Sequence, residues 1–343
     1  MNNTRITTEI KHEILELIKE GNAHGVCTSR CCKLLQIPRL RVSRWCKRSS
    51  LDDAKPGPQH APHALLEEER ESILSLAKDE KYINESHRIL RARGADLNLF
   101  HVSETTVFRV MKECSMTTSR VQNTIRNGKS VIPKRKSIDG PNQRWCWDIT
   151  YLPTNVKGHF LYLFLLLDEY SRKVISWRVS YNMVYREAME LLQEGLENEG
   201  LDDIVVALPD LINDRGSQMK AKPFVAMCKD LGINQQFSRP RTPNDNPFIE
   251  SFFSIFKNNP FYPGAFIDDI AAITFCTTYV EHYNNDRLHG GIEFVTPIQK
   301  HQGEANEVIL KRKRNHSKSI KKRFIQNKMK SLNKKPTLEV VEV

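Results

Sequence analysis

The 343-residue sequence has no long hydrophobic run. Its longest unbroken apolar stretch, residues 160–167, contains eight residues, whereas a membrane-spanning helix needs about 20. The first residues lead into a charged amphipathic stretch and lack the continuous apolar segment of a signal peptide. We therefore expect a cytoplasmic protein that makes no use of a membrane.

Paired cysteines are also lacking. The eight cysteines are scattered through a long chain that has no secretory segment, which favours reduced thiols. His24, Cys27, Cys31 and Cys32 form the one local cluster that resembles a zinc site. Adjacent Cys31 and Cys32 are not a usual ligand spacing, and no second ligand pair follows. The sequence therefore favours free thiols over zinc.

Acidic residues are absent from one segment and scarce in another segment of this basic chain, whose formal net charge is +11. Residues 114–138 contain six basic side chains and no acidic one, and residues 311–343 contain 12 basic and two acidic. Residues 139–310 have the opposite balance, with 15 basic and 23 acidic side chains. Basic segments neutralise phosphates and release counterions, so they favour a nucleic-acid partner. The acidic middle needs a separate explanation.

The N-terminal part is predicted to be helical. Helices are expected over 9–19, 30–35 and 39–48, with a short turn before a strongly basic third helix, which is the order of a helix-turn-helix module. The alternative is a small helical bundle with an incidentally basic face. We assign 1–54 to this module and 55–64, which contains a Pro-Gly-Pro break, to a linker. The candidate DNA-binding residues of the third helix are Arg39, Arg41, Arg44, Lys47 and Arg48.

A second helical module is predicted over 65–116, with helices near 65–77, 86–93 and 103–114. Its last helix carries Arg109, a further candidate for DNA binding. Residues 117–140 are predicted to be a basic linker. Residues 304–343 are predicted to be a basic C-terminal tail, either flexible or at most a basic helix.

The pattern changes to strands within 141–303. Three apolar or β-rich segments, near 145–152, 159–168 and 173–181, are typical of an antiparallel meander. Helices and strands then alternate, with strands near 204–213 and 234–238 and helices near 187–198, 223–231, 247–257 and 267–283. The sequence therefore predicts an α/β, RNase H-like domain with a mixed five-stranded sheet, preceded by all-α helix-turn-helix modules.

Three carboxylates of this domain stand where strands end or a helix begins. Asp148 lies within an apolar strand, Asp214 closes the fourth strand, and Glu250 lies in the first turn of a helix, with 35 residues between it and Asp214. A structural salt bridge would explain one buried aspartate. Three clustered carboxylates repel one another by roughly 4 kcal/mol per pair at about 4 Å, so cations are needed. Oxygen ligands select Mg²⁺ or Mn²⁺, and two such ions support phosphodiester displacement.

Several motifs together resemble the bacterial insertion-sequence transposases with a retroviral-integrase-like core. The motifs are Trp147–Tyr151, Asp168–Arg172, Asp214–Gln218, Glu250–Phe253 and His282–His289. The resemblance covers about 141–300 strongly and the helical N-terminus more loosely. It implies a catalytic and metal-binding triad of Asp148, Asp214 and Glu250, with two Mg²⁺ ions for which Mn²⁺ can substitute.

The resemblance also implies roles outside the triad. Lys257, two helical turns beyond Glu250, would contact DNA near the scissile phosphate. Arg287 belongs to the C-terminal helix signature, whose residues are either structural or in contact with DNA. Asn213 departs from the pattern, because the family more often has Ser or Thr before the second aspartate.

The sequence thus predicts a DDE transposase that binds the ends of an insertion element and catalyses 3′-end cleavage and strand transfer. Its expected partners are double-stranded DNA, both terminal repeats and target, and further copies of itself; when bound to DNA it would lie in the nucleoid. One alternative is a catalytically silent, transposase-derived DNA-binding regulator. Another is an RNase H-like nuclease that cleaves RNA–DNA hybrids.

Overall fold

A computed structural model describes residues 6–53, 61–117, 137–202, 207–214, 216–238 and 246–333, with side chains through residue 330. The chain divides into two compact units. One is formed by Leu65–Gln326 and the other by the residues before and after that range. Most of each predicted linker lies outside the described residues, which omit 54–60 and 118–136.

The N-terminal residues form three helices, α1 (Thr8–Ala23), α2 (Thr28–Leu34) and α3 (Arg39–Cys46). The side chain of Thr7 caps α1 by accepting a hydrogen bond from the backbone of Ile10. A buried Lys11 ammonium donates to the Leu51 carbonyl at 2.8 Å. The helices enclose a small apolar core of Ile14, Ile18, Cys31, Cys32, Val42, Trp45 and Leu51. Two of the clustered cysteines therefore serve as core residues.

The second helical module comprises α4 (Glu67–Lys78), α5 (His87–Asp96) and α6 (Glu104–Glu113). Serine side chains cap α5 and α6, as their positions before the apolar periodicity predict. Gly94 lies against the ring of Phe100, where an added Cβ would be 2.2 Å from the nearest ring carbon. The module has its own core, formed by Ile73, Leu76, Ala77, Leu90, Phe100, Val102, Val107, Val110 and Met111.

The following domain contains a five-stranded sheet in the order β3-β2-β1-β4-β5. The strands are β1 (Arg144–Pro153), β2 (Phe160–Asp168), β3 (Val174–Ser180), β4 (Asp210–Asn213) and β5 (Gln235–Phe237). Strands β1 to β3 are antiparallel, whereas β4 is parallel to both β1 and β5. The predicted mixed α/β fold of the RNase H type is confirmed.

Helices cover both faces of this sheet. On one face α7 (Tyr185–Asn198) and α8 (Lys222–Asp230) pack through a core that includes Trp145, Trp147 and Phe224. On the other face α9 (Pro247–Lys257) and α10 (Asp269–Asn285) pack through a core rich in aromatic side chains. Because helices cover both faces of the sheet, the central strands are apolar on both sides.

One strand is shorter than predicted. The sequence favours a strand over 204–213, but β4 begins at Asp210, and 207–209 lie outside any strand. Pro209 directly precedes β4 and has no N–H to donate to a neighbouring strand. The ladder with β1 therefore starts at the pair Arg144 and Asp210.

The C-terminal part is helical. A short 3₁₀ turn (Gly290–Ile292) leads to α11 (Pro297–His301) and then to α12 (Ala305–Asn333). The sequence left two alternatives for the basic tail, a flexible segment or a basic helix. The structure shows a helix through residue 333. Within the described residues, no helix combines the length and apolar character that crossing a membrane requires.

A buried polar cluster connects α11 to the sheet and to the end of α7. His301 Nε2 lies 2.7 Å from Glu199 Oε2, and His301 Nδ1 lies 3.0 Å from Ser171 Oγ. The Ser171 hydroxyl donates in turn to Asp168 at 2.6 Å. Lys173 donates to the other oxygen of Glu199 at 2.6 Å. Each charged group of the cluster therefore has a partner, as burial requires.

Candidate active site

Two of the three predicted carboxylates lie on neighbouring parallel strands. The register of β1 and β4 pairs Arg144 with Asp210 and Cys146 with Ile212. Continued by two residues, it brings Asp214, directly after β4, beside Asp148 in β1. Adjacent strands lie about 4.8 Å apart, so the sheet itself brings these two carboxylates together.

The third carboxylate is supplied by the first turn of α9. Asn246, the buried residue before α9, donates its side-chain amide to the Trp147 carbonyl at 3.4 Å. This bond ties the start of α9 to β1 one residue before Asp148. Glu250 follows in the first turn, where the helix dipole favours a negative charge.

The electrostatics of Asp148 reflect this arrangement. The pKa of its carboxyl is raised to about 7, mainly by burial and also by the nearby carboxylates of Asp214 and Glu250, against a hydrogen bond from the Ile149 backbone. That bond, from Ile149 N to Asp148 Oδ1, is 2.8 Å long. Asp214 and Glu250 are exposed. The three carboxylates are therefore close enough to repel one another, and two of them face solvent.

The donor set suits a hard divalent cation. Three carboxylates offer only oxygen ligands, which Mg²⁺ and Mn²⁺ prefer, and a cation would relieve the repulsion that raises the pKa of Asp148. Within the described residues, no three His, Cys, Asp or Glu side chains already surround a single metal position. Binding would therefore draw the exposed side chains of Asp214 and Glu250 toward Asp148.

Lys257 lies at the end of α9, seven residues beyond Glu250. Both side chains are exposed, while Ile249, Phe252 and Phe256 on the opposite face are buried. Two helical turns separate the two charged residues, so they share the outer face. Partial burial of its stem lowers the pKa of Lys257. The helix thus presents a carboxylate and a cation on one exposed side.

The residues of the C-terminal signature are largely built into the fold. Tyr283 packs edge-to-face on Phe252, with ring centroids 4.7 Å apart, and His289 packs on Tyr283 at 4.6 Å. The Asn284 amide accepts from the Val174 backbone at 2.9 Å and donates back to its carbonyl at 3.0 Å. These contacts give Tyr283, Asn284 and His289 structural roles, because they attach this segment to α9 and β3.

Arg287 belongs to the same signature. It is partly exposed, and its buried Nε has no hydrogen-bond partner among the described residues. Burial lowers the pKa of the neighbouring His289 imidazole to about 3, and Arg287 and Arg172 contribute to that lowering. The surroundings of Arg287 are therefore already positive.

Asp168 contributes to the fold rather than to the carboxylate site. Its carboxylate accepts from the Asn142 backbone at 3.0 Å and from the Ser171 backbone at 2.7 Å. The Arg172 guanidinium, four residues further along, donates to the Glu169 carbonyl. It also lies 3.3 Å from the centroid of the Phe248 ring. Asp168 is therefore a buried acceptor for the β2–β3 turn.

The candidate DNA-binding side chains of the helical modules are all exposed. Val42 and Trp45 turn inward from α3, whereas the five basic residues lie on its outer face or just beyond its end: Arg39, Arg41, Arg44, Lys47 and Arg48. Arg109 is exposed on α6. This distribution is what a phosphate-contacting surface requires, although exposure is also the usual state of basic side chains.

Sequence comparison agrees with this geometry. Residues 139–243 match one integrase core domain family, and residues 231–297 match a second integrase core domain family. The two matches together cover the sheet, the three carboxylates and the C-terminal signature. Residues 139–297 are therefore similar to integrase core domains. This range, called the integrase core domain below, is also where the resemblance noted from the motifs is strongest, and that resemblance is confirmed.

Curated relatives extend the similarity beyond the integrase core domain. The transposase of insertion element IS904 from Lactococcus lactis is 29% identical over 160 residues, 46% of this chain and 60% of that protein. The putative transposase InsK of IS150 from Escherichia coli is 26% identical over 230 residues, 67% of this chain and 75% of that protein. InsF of IS3A, from the same species, is 26% identical over 277 residues, covering 78% and 91%.

Solved structures include a catalytic core of similar extent. The HTLV-2 integrase catalytic core domain, solved in complex with magnesium, aligns with a TM-score of 0.35 and 16% identity. The alignment covers 47% of this chain and 97% of that one.

Sequence reasoning missed the positioning role of Asn246 and the burial of Asn213. Asn246 precedes a proline at the start of α9, a position that favours asparagine as a helix cap. Its amide bonds to β1 instead of capping its own helix. Asn213 is fully buried, and both atoms of its amide lack hydrogen-bond partners among the described residues. A polar residue within an otherwise apolar strand was the available signal.

Proposed function

We propose that this protein is a DDE transposase that cleaves DNA at the 3′ ends of an insertion element and joins those ends to target DNA. The observation that supports the proposal is the convergence of Asp148, Asp214 and Glu250 at one end of the sheet. The integrase core domain and the similarity to insertion-sequence transposases support the same chemistry.

The three carboxylates would hold the divalent ions, two Mg²⁺ or Mn²⁺. Bound ions of this kind activate an attacking oxygen and stabilise the leaving oxygen of a phosphodiester. Asp148, fixed within β1, supplies the least mobile ligand, while Asp214 and Glu250 approach from a strand end and a helix start. Water would attack first, and the 3′-hydroxyl that it frees would attack target DNA next.

The remaining residues would position the DNA. Lys257 would contact a phosphate beside the carboxylates, since it shares the exposed face of α9 with Glu250. Arg287 would supply a second cation near the same helix. The helical modules, through the basic face of α3 and Arg109 of α6, would bind the element ends. The protein would act on nucleoid DNA as an oligomer that brings two ends together.

The test is a cleavage and joining assay with the full-length protein. A labelled duplex containing the sequences that flank the gene is incubated with Mg²⁺ or Mn²⁺, and 3′-end nicking and joining are scored. Glu250→Gln and Asp148→Asn should retain DNA binding and lose both reactions. Glu281→Gln, which alters an exposed glutamate of α10, is the matched control and should retain them. Wild-type cutting by Glu250→Gln would refute the proposal.

A second candidate is a catalytically silent DNA-binding regulator. The observation in its favour is that no three candidate ligands in the described part of the chain already surround one metal position. Tight binding without nicking in either metal would support the regulator. Cleavage of an RNA–DNA hybrid in preference to duplex DNA would instead identify a hybrid-specific nuclease.

A further inference from the structure

The last described helix, α12, combines strong positive charge with an ordered position. The sequence from 308 to 333 contains no acidic residue, whereas ten lysines and arginines lie between 311 and 330. At its beginning, Val308 and Ile309 pack on a small apolar cluster with Ile292 and Val295. The following turns are rich in charge, and ion pairs hold two of their arginines.

Arg312 holds the first of those turns. Its guanidinium binds both oxygens of Asp96 in the second helical module, at 2.6 Å and 2.5 Å. It also donates to the Phe294 carbonyl at 2.9 Å. The arginine side chain is 8% exposed. A bidentate pair of this kind fixes orientation as well as position.

Arg323 repeats this arrangement eleven residues later. It binds both oxygens of Glu69 at 2.7 Å and 2.9 Å and donates to the His101 carbonyl at 2.6 Å. His316, between the two arginines, lies 3.0 Å from the same carbonyl. Eleven residues make about three helical turns, so all of these contacts lie on one face of α12. That face is fixed to the module by ion pairs.

The opposite side of α12 is positive and open. Six exposed cations form no ion pair with any described residue: Lys311, Lys313, Arg314, Lys318, Lys321 and Lys322. They extend over roughly 16 Å at about 1.5 Å per residue, close to half a turn of duplex DNA at about 34 Å per turn. We refer to these six residues as the outer basic face.

We propose that the outer basic face of α12 is a phosphate-binding surface for duplex DNA, held in place by the Arg312–Asp96 and Arg323–Glu69 ion pairs. Clustered like charges repel one another unless a polyanion neutralises them. The choice of DNA as the polyanion rests on the proposed function. Fixing the helix in advance reduces the entropy lost on binding.

An anionic membrane is the competing polyanion, and the helix is poorly suited to it. Interfacial helices keep apolar and charged residues on separate faces. In α12 the exposed Ile325 lies seven residues after Lys318 and eleven after Arg314, which places it in the same stripe. The two residue classes are therefore interleaved on the exposed side.

The first test is the salt dependence of DNA binding by the full-length protein. Affinity for a random-sequence duplex is measured by fluorescence anisotropy across a series of salt concentrations. A triple variant, Lys318→Ala, Lys321→Ala and Lys322→Ala, should reduce the slope of log affinity against log salt by up to about 2.7, or about 0.9 per contact. A control with the same loss of charge, Lys157→Ala, Lys222→Ala and Lys229→Ala, alters exposed lysines of the core domain and should leave the slope unchanged.

The second test separates the ion pairs from charge alone. Glu69→Arg makes the protein more positive, yet it should weaken binding several-fold because α12 loses an anchor. Adding Arg323→Glu reverses the pair and should restore affinity. Circular dichroism of each variant checks that the module still folds. Tighter binding by Glu69→Arg would contradict the role of the ion pairs.

Two further outcomes would overturn the inference: an unchanged slope in the α12 triple variant, or a loss of binding to anionic vesicles without a loss of binding to DNA. Failure here is distinguishable from failure of the proposed function. An unchanged slope with intact nicking refutes only the role of α12. A reduced slope in a protein that never nicks refutes only the transposase activity.

Discussion

The buried cluster around His301 predicts a bell-shaped dependence of stability on pH. Burial alone would raise the pKa of Glu199, but hydrogen bonds from His301, Lys173 and Asn142 outweigh it and lower that pKa to about 2. Burial disfavours the charged form of His301, yet the carboxylates of Asp168, 3.7 Å from Nδ1, and of Glu199, bonded to Nε2, prevail and raise its pKa. Both groups are thus stabilised in their charged forms.

The magnitude follows from the shift at Glu199. A change from 4.5 to about 2 corresponds to about 3 kcal/mol of folding free energy. Because the folded pKa is lowered, this stability is present above about pH 4.5 and is lost as the pH falls toward 2. The contribution of His301 has the opposite sign, since its folded pKa is raised. It is complete below about pH 6.5 and is lost as the pH rises through the folded pKa.

The assay is urea denaturation followed by tryptophan fluorescence between pH 3 and 9. The contribution of the cluster should be largest between about pH 4.5 and 6.5, and Glu199→Gln should flatten the acid side. His301→Gln should flatten the alkaline side, whereas His159→Gln, at an exposed histidine, should leave both sides unchanged. Equal alkaline losses in the wild type and His301→Gln would refute the reasoning.

Two further predictions concern local packing. Asn284→Leu removes both bonds to the Val174 backbone and should cost about 2–4 kcal/mol in thermal or urea unfolding, because buried backbone groups lose their partners; a cost below 1 kcal/mol would contradict this. Gly94→Ala should cost about 1–3 kcal/mol through its clash with Phe100, while Gly291→Ala, which has open space, should be nearly neutral. Equal melting temperatures for the two alanine variants would contradict the packing argument.

The sheet could be predicted from the sequence because its strands are unusually apolar. The run 160–167 is buried on both faces of β2 apart from its first and third residues. A continuous apolar run of this length predicts a central strand. Asp148 and Asp214 could be singled out because they interrupt or end such a run, and Glu250 because it begins an apolar helix. Their proximity could not be predicted from the sequence alone, because it depends on the parallel register of β1 and β4, which brings Asp214 beside Asp148.

Polar contacts were much harder to predict. Asp168 and Arg172 lie four residues apart across a turn, a spacing that would allow an ion pair, but their side chains bind different backbone groups. Periodicity predicts which face of an element is apolar and carries no information on which donor meets which acceptor. The partners of Asp168 come from positions far apart in the sequence, including Asn142 and, through Ser171, His301.

The same limit applies to charge counted by segment. Residues 311–343 carry a large positive excess in the sequence, but Arg312 and Arg323 are neutralised by Asp96 and Glu69, which belong to a segment more than 200 positions earlier. Of the ten cations between 311 and 330, at most eight can therefore face phosphates. Deleting the segment would remove two ion pairs of the module together with its DNA contacts. Point substitutions on the outer basic face are consequently the cleaner measure of how much α12 contributes to binding.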